Sequence, residues 1–126
     1  MTAPGFSITG IDRSDYMAID MPRAIAFYRD VLSLEPESSN PEGTVVEYGL
    51  PDGSTFGLWT GDDATPVTPF QPGNGVMFGV DDLAAAEAAL TARGIEIIVK
   101  HDTPFCTFVL IHDSEGNTVT LHKRKR

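Results

Sequence analysis

Two punctuation marks recur along this chain at almost the same interval. Asp20 stands before one helix-like stretch and Asp82, 62 residues on, stands before another. Gly53 sits in the turn PDGS and Gly116, 63 residues on, sits in the turn DSEG. At that second interval Phe56 falls on Val119 and Leu58 on Leu121. A repeat of about 60 residues constrains the fold strongly. Each half reads strand, helix, then three strands ending in a hairpin. A βαβββ unit of this size leaves one sheet face open and cannot easily stand alone. The expectation is an α+β chain of two βαβββ modules, their curved sheets forming a cup with the helices outside. Such cups hold ligands.

Local signals place the elements. Residues 20 to 34, DMPRAIAFYRDVLSL, predict a helix: Asp20 caps it, Pro22 is tolerated in the first turn, and Ile25, Phe27, Tyr28, Val31 and Leu32 make an apolar stripe. Residues 81 to 94 predict a second, capped by Asp81 or Asp82 and stopped by Gly94, with Leu83, Ala86 and Leu90 inward. Strands are expected at Ser7 to Ile19 (one, irregular), Glu35 to Ser39, Thr44 to Leu50, Thr55 to Thr60, Gly75 to Val80, Ile95 to Lys100, Phe105 to His112 and Asn117 to His122. The first module spans about 6–60 and the second about 75–123. Gly61 to Asn74, with three prolines and two glycines, reads as the linker.

Charge excludes some partners. Eighteen acids oppose nine bases among 126 residues. Four of those bases form the tail Lys123 to Arg126, so residues 1 to 122 hold five bases against eighteen acids, a net −13. That body repels phosphate backbones and argues against nucleic acid. It would draw a cationic ligand, or simply be a solvated surface. The tail reads as a frayed end. No apolar run approaches a membrane span, so no membrane partner is expected. The opening MTAPGFSITG shows no signal peptide. The single cysteine, Cys106, forms no internal disulfide, which fits a reducing cytoplasm. No P-loop, G-x-S-x-G or C-x-x-C occurs.

The pattern D-x-x-R-A-x-x-F-Y-x-x-V-L, carried by Asp20, Arg23, Ala24, Phe27, Tyr28, Val31 and Leu32, resembles the vicinal oxygen chelate superfamily. DSEGNTVTLH resembles that family's D-P-D-G-N hairpin and the strand after it. The superfamily includes glyoxalase I, extradiol dioxygenases and bleomycin-resistance proteins. The resemblance implies the cup fold and a homodimer. In the family's metal enzymes four strands each supply a ligand, usually His or Glu. The matching positions here hold Arg13, Gly57, Gly75 and Thr120. Two lack a side chain, one is a fixed cation and one is a neutral hydroxyl. The expectation is therefore no metal, no cofactor, and a cup lined by other groups.

Period two then gives the lining. The first module offers Arg13, Asp15, Met17, Glu47 and Trp59. The second offers Met77, Phe108, Thr120 and His122, with Cys106 close by. Trp59 and Phe108 supply apolar surface for a planar ligand, and Arg13, Asp15 and Glu47 supply charge. Arg13 and Asp15 could equally pair with each other, and Trp59 could be packing. Cys106 and His122 fall as near-diagonal neighbours on one face, where a histidine can activate a thiol. The plainer alternative is an inert thiol and a surface histidine. His112 and His101, the latter in the loop HDTP, read as surface residues.

Two functions follow. The first is a metal-free protein binding a small organic molecule, similar to the bleomycin-resistance branch. The second is an enzyme of glyoxalase-like ancestry (lyase, isomerase or oxygenase type) using Cys106 with His122, or Glu47 as a general base.

Overall fold

The computed structural model describes residues 5–61 and 70–125. The elements run β1 (Ser14–Met17), α1 (Met21–Asp30), β2 (Ser38–Ser39), β3 (Val45–Gly49), β4 (Thr55–Trp59), β5 (Val76–Gly79), α2 (Leu83–Ala92), β6 (Val99–Asp102), β7 (Cys106–His112) and β8 (Thr118–Arg124). They form two four-stranded sheets, ordered β1-β4-β3-β2 and β5-β8-β7-β6. In each the first strand is parallel to its neighbour and the other pairs are antiparallel. This is the expected α+β architecture of two βαβββ modules. The sheets are not closed on each other: no strand of one hydrogen-bonds to a strand of the other. Most of the expected linker, 62–69, lies outside the described residues.

Both helices start as their capping residues dictate. The Asp20 carboxylate accepts the Arg23 N–H and that of Asp82 accepts the Ala85 N–H, so Asp82, not Asp81, is the second cap. Gly94, at φ 73°, ends α2 as expected. Helix α1 is shorter than expected, because Ser33 turns to φ 58° and ends its last turn.

One core joins the modules. Val46, Tyr48, Phe56 and Leu58 from the first sheet and Val109, Ile111, Val119 and Leu121 from the second are all buried on the helix side. They alternate along their strands with the lining residues that period two predicts, which fixes the register. The Phe56 and Phe78 rings meet edge to face at 5.0 Å across the modules. Polar groups complete the joint. The Tyr16 hydroxyl donates to the Thr118 carbonyl and accepts the Val76 N–H. Fully buried Asn117 donates to the Met17 carbonyl and the Asp113 carboxylate and accepts the Gly73 N–H.

Strand boundaries differ from the sequence reading; the strand expected at Glu35 to Ser39 is only Ser38–Ser39. Strand β1 begins only at Ser14, where its pairing with β4 starts opposite Phe56. Strand β6 starts later and includes His101, because the hairpin turns at Thr103, whose N–H bonds to the Cys106 carbonyl. His101 is thus a strand residue, not a loop residue. The basic tail is not frayed through Lys125. Cys106 pairs with Arg124, and the Lys125 N–H reaches the Phe105 carbonyl.

Candidate functional site

The register places Asp15, Gly57 and Glu47 in one row across β1, β4 and β3. They share the face opposite the helices. Arg13, just ahead of β1, reaches into this row. Its Nη1 donates to Glu47 Oε2 at 3.1 Å, and its Nε lies 2.7 Å from Asp15 Oδ1. The two carboxylates hold the guanidinium firmly charged, Glu47 acting more strongly than Asp15. Ser38 donates to the other oxygen of Glu47 at 3.4 Å. Gly57 makes room for this cluster. A Cβ there would lie 2.8 Å from Asp15 Oδ1 and 3.1 Å from Arg13 Cδ. Asp15 Oδ1 is out of water and is met by Arg13 Nε in this ion pair. The recess here measures about 460 Å³ and is lined by Asp12, Arg13, Asp15 and Glu47. Met17 and Trp59 pair one step along the same face, both half-buried.

The second sheet carries a different open face. Met77, Thr120 and Leu110 form one row; Gly79, His122, Phe108 and His101 form the next. Met77 is 61% exposed, whereas Thr120 is 3% exposed. The rings of His101 and Phe108 stack at 5.5 Å, and those of Phe108 and His122 at 6.5 Å. Beyond them lies a recess of about 520 Å³ lined by Pro104, Phe105, Cys106, His122, Arg124 and Lys125. Cys106 and His122 therefore share one recess. The thiol's described polar contact is the Thr103 hydroxyl, 3.5 Å away. His112 is exposed at the end of β7.

At the four positions that the family resemblance points to, Arg13 projects a guanidinium over Gly57, Gly75 has no side chain, and Thr120 is a buried neutral hydroxyl. Among the described residues no three His, Cys, Asp or Glu side chains gather as a metal site.

Two features went unseen in the sequence. An apolar cavity of about 550 Å³ opens between the end of α1, the β3–β4 turn, β5 and α2, with Leu32, Leu34, Leu50, Val80 and Leu90 among its walls. Of the expected site residues it includes only Met77. The other is Glu115, whose side chain is wholly buried in the β7–β8 turn. It accepts the N–H groups of Ile19 and Asp20 at 2.8 Å each and Arg23 Nε at 2.7 Å. Burial opposes its charge, but the Arg23 guanidinium and those N–H groups win and hold its carboxyl down at about 2. The second module thereby anchors the β1–α1 junction from which Arg13 and Asp15 extend. Nearby, the Tyr28 hydroxyl donates to Asp113 at 2.8 Å. Spacing alone signals none of this, since the partners lie about 90 residues apart.

The model of the Glyoxalase/Bleomycin resistance protein/Dioxygenase superfamily matches residues 10–121. No curated protein sequence matches the chain. Among solved structures, it is similar to a lactoylglutathione lyase from Agrobacterium tumefaciens, 26% identical, covering 92% of this chain and 94% of that one, at a TM-score of 0.74. It is similar in fold to TnmS3, an antibiotic binding protein from Streptomyces sp. CB03234, at 19% identity, 95% and 99% coverage and a TM-score of 0.77. A putative glyoxalase family protein from Bacillus anthracis shares the fold at 20% identity, 95% and 98% coverage and a TM-score of 0.75. Among the described residues no helix is long and apolar enough to cross a membrane.

Proposed function

The chain belongs to the Glyoxalase/Bleomycin resistance protein/Dioxygenase superfamily, and we propose that it binds a small organic molecule on its open sheet faces without a metal ion. One observation carries this reading: Arg13 lies over Gly57 between Asp15 and Glu47, filling with a cation the place where the family's metal enzymes put ligands. The cluster offers a ligand a charged rim. Met17 and Trp59 supply apolar surface beside it, and Met77, Phe108, Thr120 and His122 supply the second face. The similarity to an antibiotic binding protein agrees with a binding role.

A homodimer is part of the proposal. The two recesses described on the open faces are each lined from one module, and Met77 and Val99 stand exposed on the second sheet. A second copy would cover them and bring unlike faces together. The proposed compartment is the cytoplasm, which suits the free thiol of Cys106. The sharing of one recess by Cys106 and His122 favours a second reading, an enzyme with Cys106 as nucleophile and His122 as its base. Glu47, already held by Arg13 and Ser38, is the weaker candidate base.

Elemental analysis of tag-free protein incubated with manganese, nickel, zinc or iron tests the metal-free reading. The expected result is no stoichiometric metal. A retained ion would move the enzyme reading ahead. Thermal-shift screening with planar compounds of either charge then seeks the ligand, since binding to the folded state raises the melting temperature.

A further inference from the structure

The recess beside β8 is unusual in so acidic a chain. Its charged walls are Arg124 and Lys125, and no carboxylate lines it. Both reach it because β8 continues to Arg124 opposite Cys106. Lys125 is paired with Asp102 of β6, which also accepts the Thr107 hydroxyl. Arg124 has no carboxylate partner among the described residues. Its guanidinium presents a planar fork suited to a carboxylate.

Two residues before Arg124, about 7 Å along the strand, His122 begins the stack of His122, Phe108 and His101. Cross-strand register puts the three rings side by side. They form an aromatic stack that begins beside an unpaired guanidinium. We propose that this end of the second open face takes an aromatic carboxylate, its ring against the His122–Phe108 stack and its carboxylate on Arg124. The inference rests on the open-face binding reading and names the class of ligand for its second module. Electrostatics supports it locally: the overall charge repels anions at a distance, while the fork selects them at contact.

Calorimetric titration at low ionic strength, with 2-naphthoate and 2-naphthylmethylammonium as probes, tests it. Wild-type protein should bind naphthoate and prefer it to the cation. Arg124→Gln should weaken naphthoate binding tenfold or more, and Arg124→Lys, which keeps charge but not the fork, should fall between. Arg29→Gln, on an exposed helix position, should change nothing. Arg124 is exposed at a strand end, so unchanged melting of its variants serves as the folding control. Equal affinity of wild type and Arg124→Gln, preference for the cation, or no naphthoate binding would each overturn the inference. Should another compound stabilise the wild type and lose that effect in Trp59→Ala, binding on the open faces would stand while the carboxylate inference falls.

Discussion

Replacing Glu115 with glutamine should destabilise the fold by an amount that depends on pH. The carboxylate is buried, yet its folded pKa is about 2 against an ordinary 4.5. At about 1.4 kcal/mol for each tenfold change in proton affinity, that gap corresponds to about 3 kcal/mol at neutral pH. Solvent at half-exposed Arg23 reduces it towards about 2 kcal/mol. Glutamine keeps the shape and one acceptor for the Ile19 and Asp20 N–H groups. Its amide, however, would turn a donor towards Arg23 Nε, now 2.7 Å from an oxygen. The sign follows from the depressed pKa. The stabilisation is complete above pH 4.5 and is lost as pH falls towards 2.

Urea denaturation of wild type and Glu115→Gln at pH 7 and pH 3 measures this. At pH 7 the two should differ by about 2 to 3 kcal/mol, a midpoint shift of about 1 to 2 M urea. By pH 3 the difference should roughly halve. Other carboxylates titrate in the same range, but they are common to both proteins and cancel in the comparison. A difference that stays constant between pH 7 and pH 3 would refute the argument. So would a difference below about 0.5 kcal/mol at pH 7, because the buried ion pair would then contribute almost nothing net.

Further outcomes are expected. Trp59→Ala should weaken binding of whatever aromatic ligand screening finds by about 1 kcal/mol or more; an unchanged affinity removes Trp59 from the site. If Cys106 is a nucleophile, it should alkylate faster at neutral pH than a simple thiol, and Cys106→Ser should abolish any activity found; ordinary reactivity sinks the enzyme reading built on it. Burial raises all three tyrosines, Tyr48 to about 12 and Tyr28 further with the Asp113 charge adding to it. The native protein should show little phenolate absorbance at pH 10 to 11, and the neutral hydroxyls' stabilisation should be lost as pH rises above 10. Phenolate signal at pH 10 without unfolding would show that the hydroxyls reach water.

The sequence exposed the elements and the register because both are local and periodic. Asp20 and Asp82 cap, Gly94 and Gly116 turn, and period two separates Val119 and Leu121 from Thr118 and Thr120. What it hid is non-local. Asp113, Glu115 and Asn117 look like ordinary turn residues, yet they meet Tyr28, Arg23 and Met17. Burial against distant backbone, not spacing, makes them structural. The tail departs from its expected fraying for a related reason. Lys123 to Lys125 resemble a solvated charge run, but alternation continues through them, and pairing with Cys106 and Phe105 decides the matter. Following period two past His122 would have put Arg124 on its face.

The two modules keep one face alike and differ on the other. At equivalent positions the helix side pairs Tyr16 with Phe78, Val46 with Val109, Tyr48 with Ile111, and Leu58 with Leu121. The registers match row for row: Asp15, Gly57 and Glu47 in one module, Met77, Thr120 and Leu110 in the other. On this open side Arg13 stands where the second module has Gly75, and Trp59 where it has His122. Packing demands apolar volume on the shared core, so the helix faces can vary only within that chemistry. Nothing in the core fixes the open faces, and they carry opposite features: carboxylates about an arginine on one, an aromatic stack ending in an unpaired arginine on the other. A ligand that spans both would need unlike ends. Bringing unlike faces together, as the proposed dimer does, is what would let one small molecule use both.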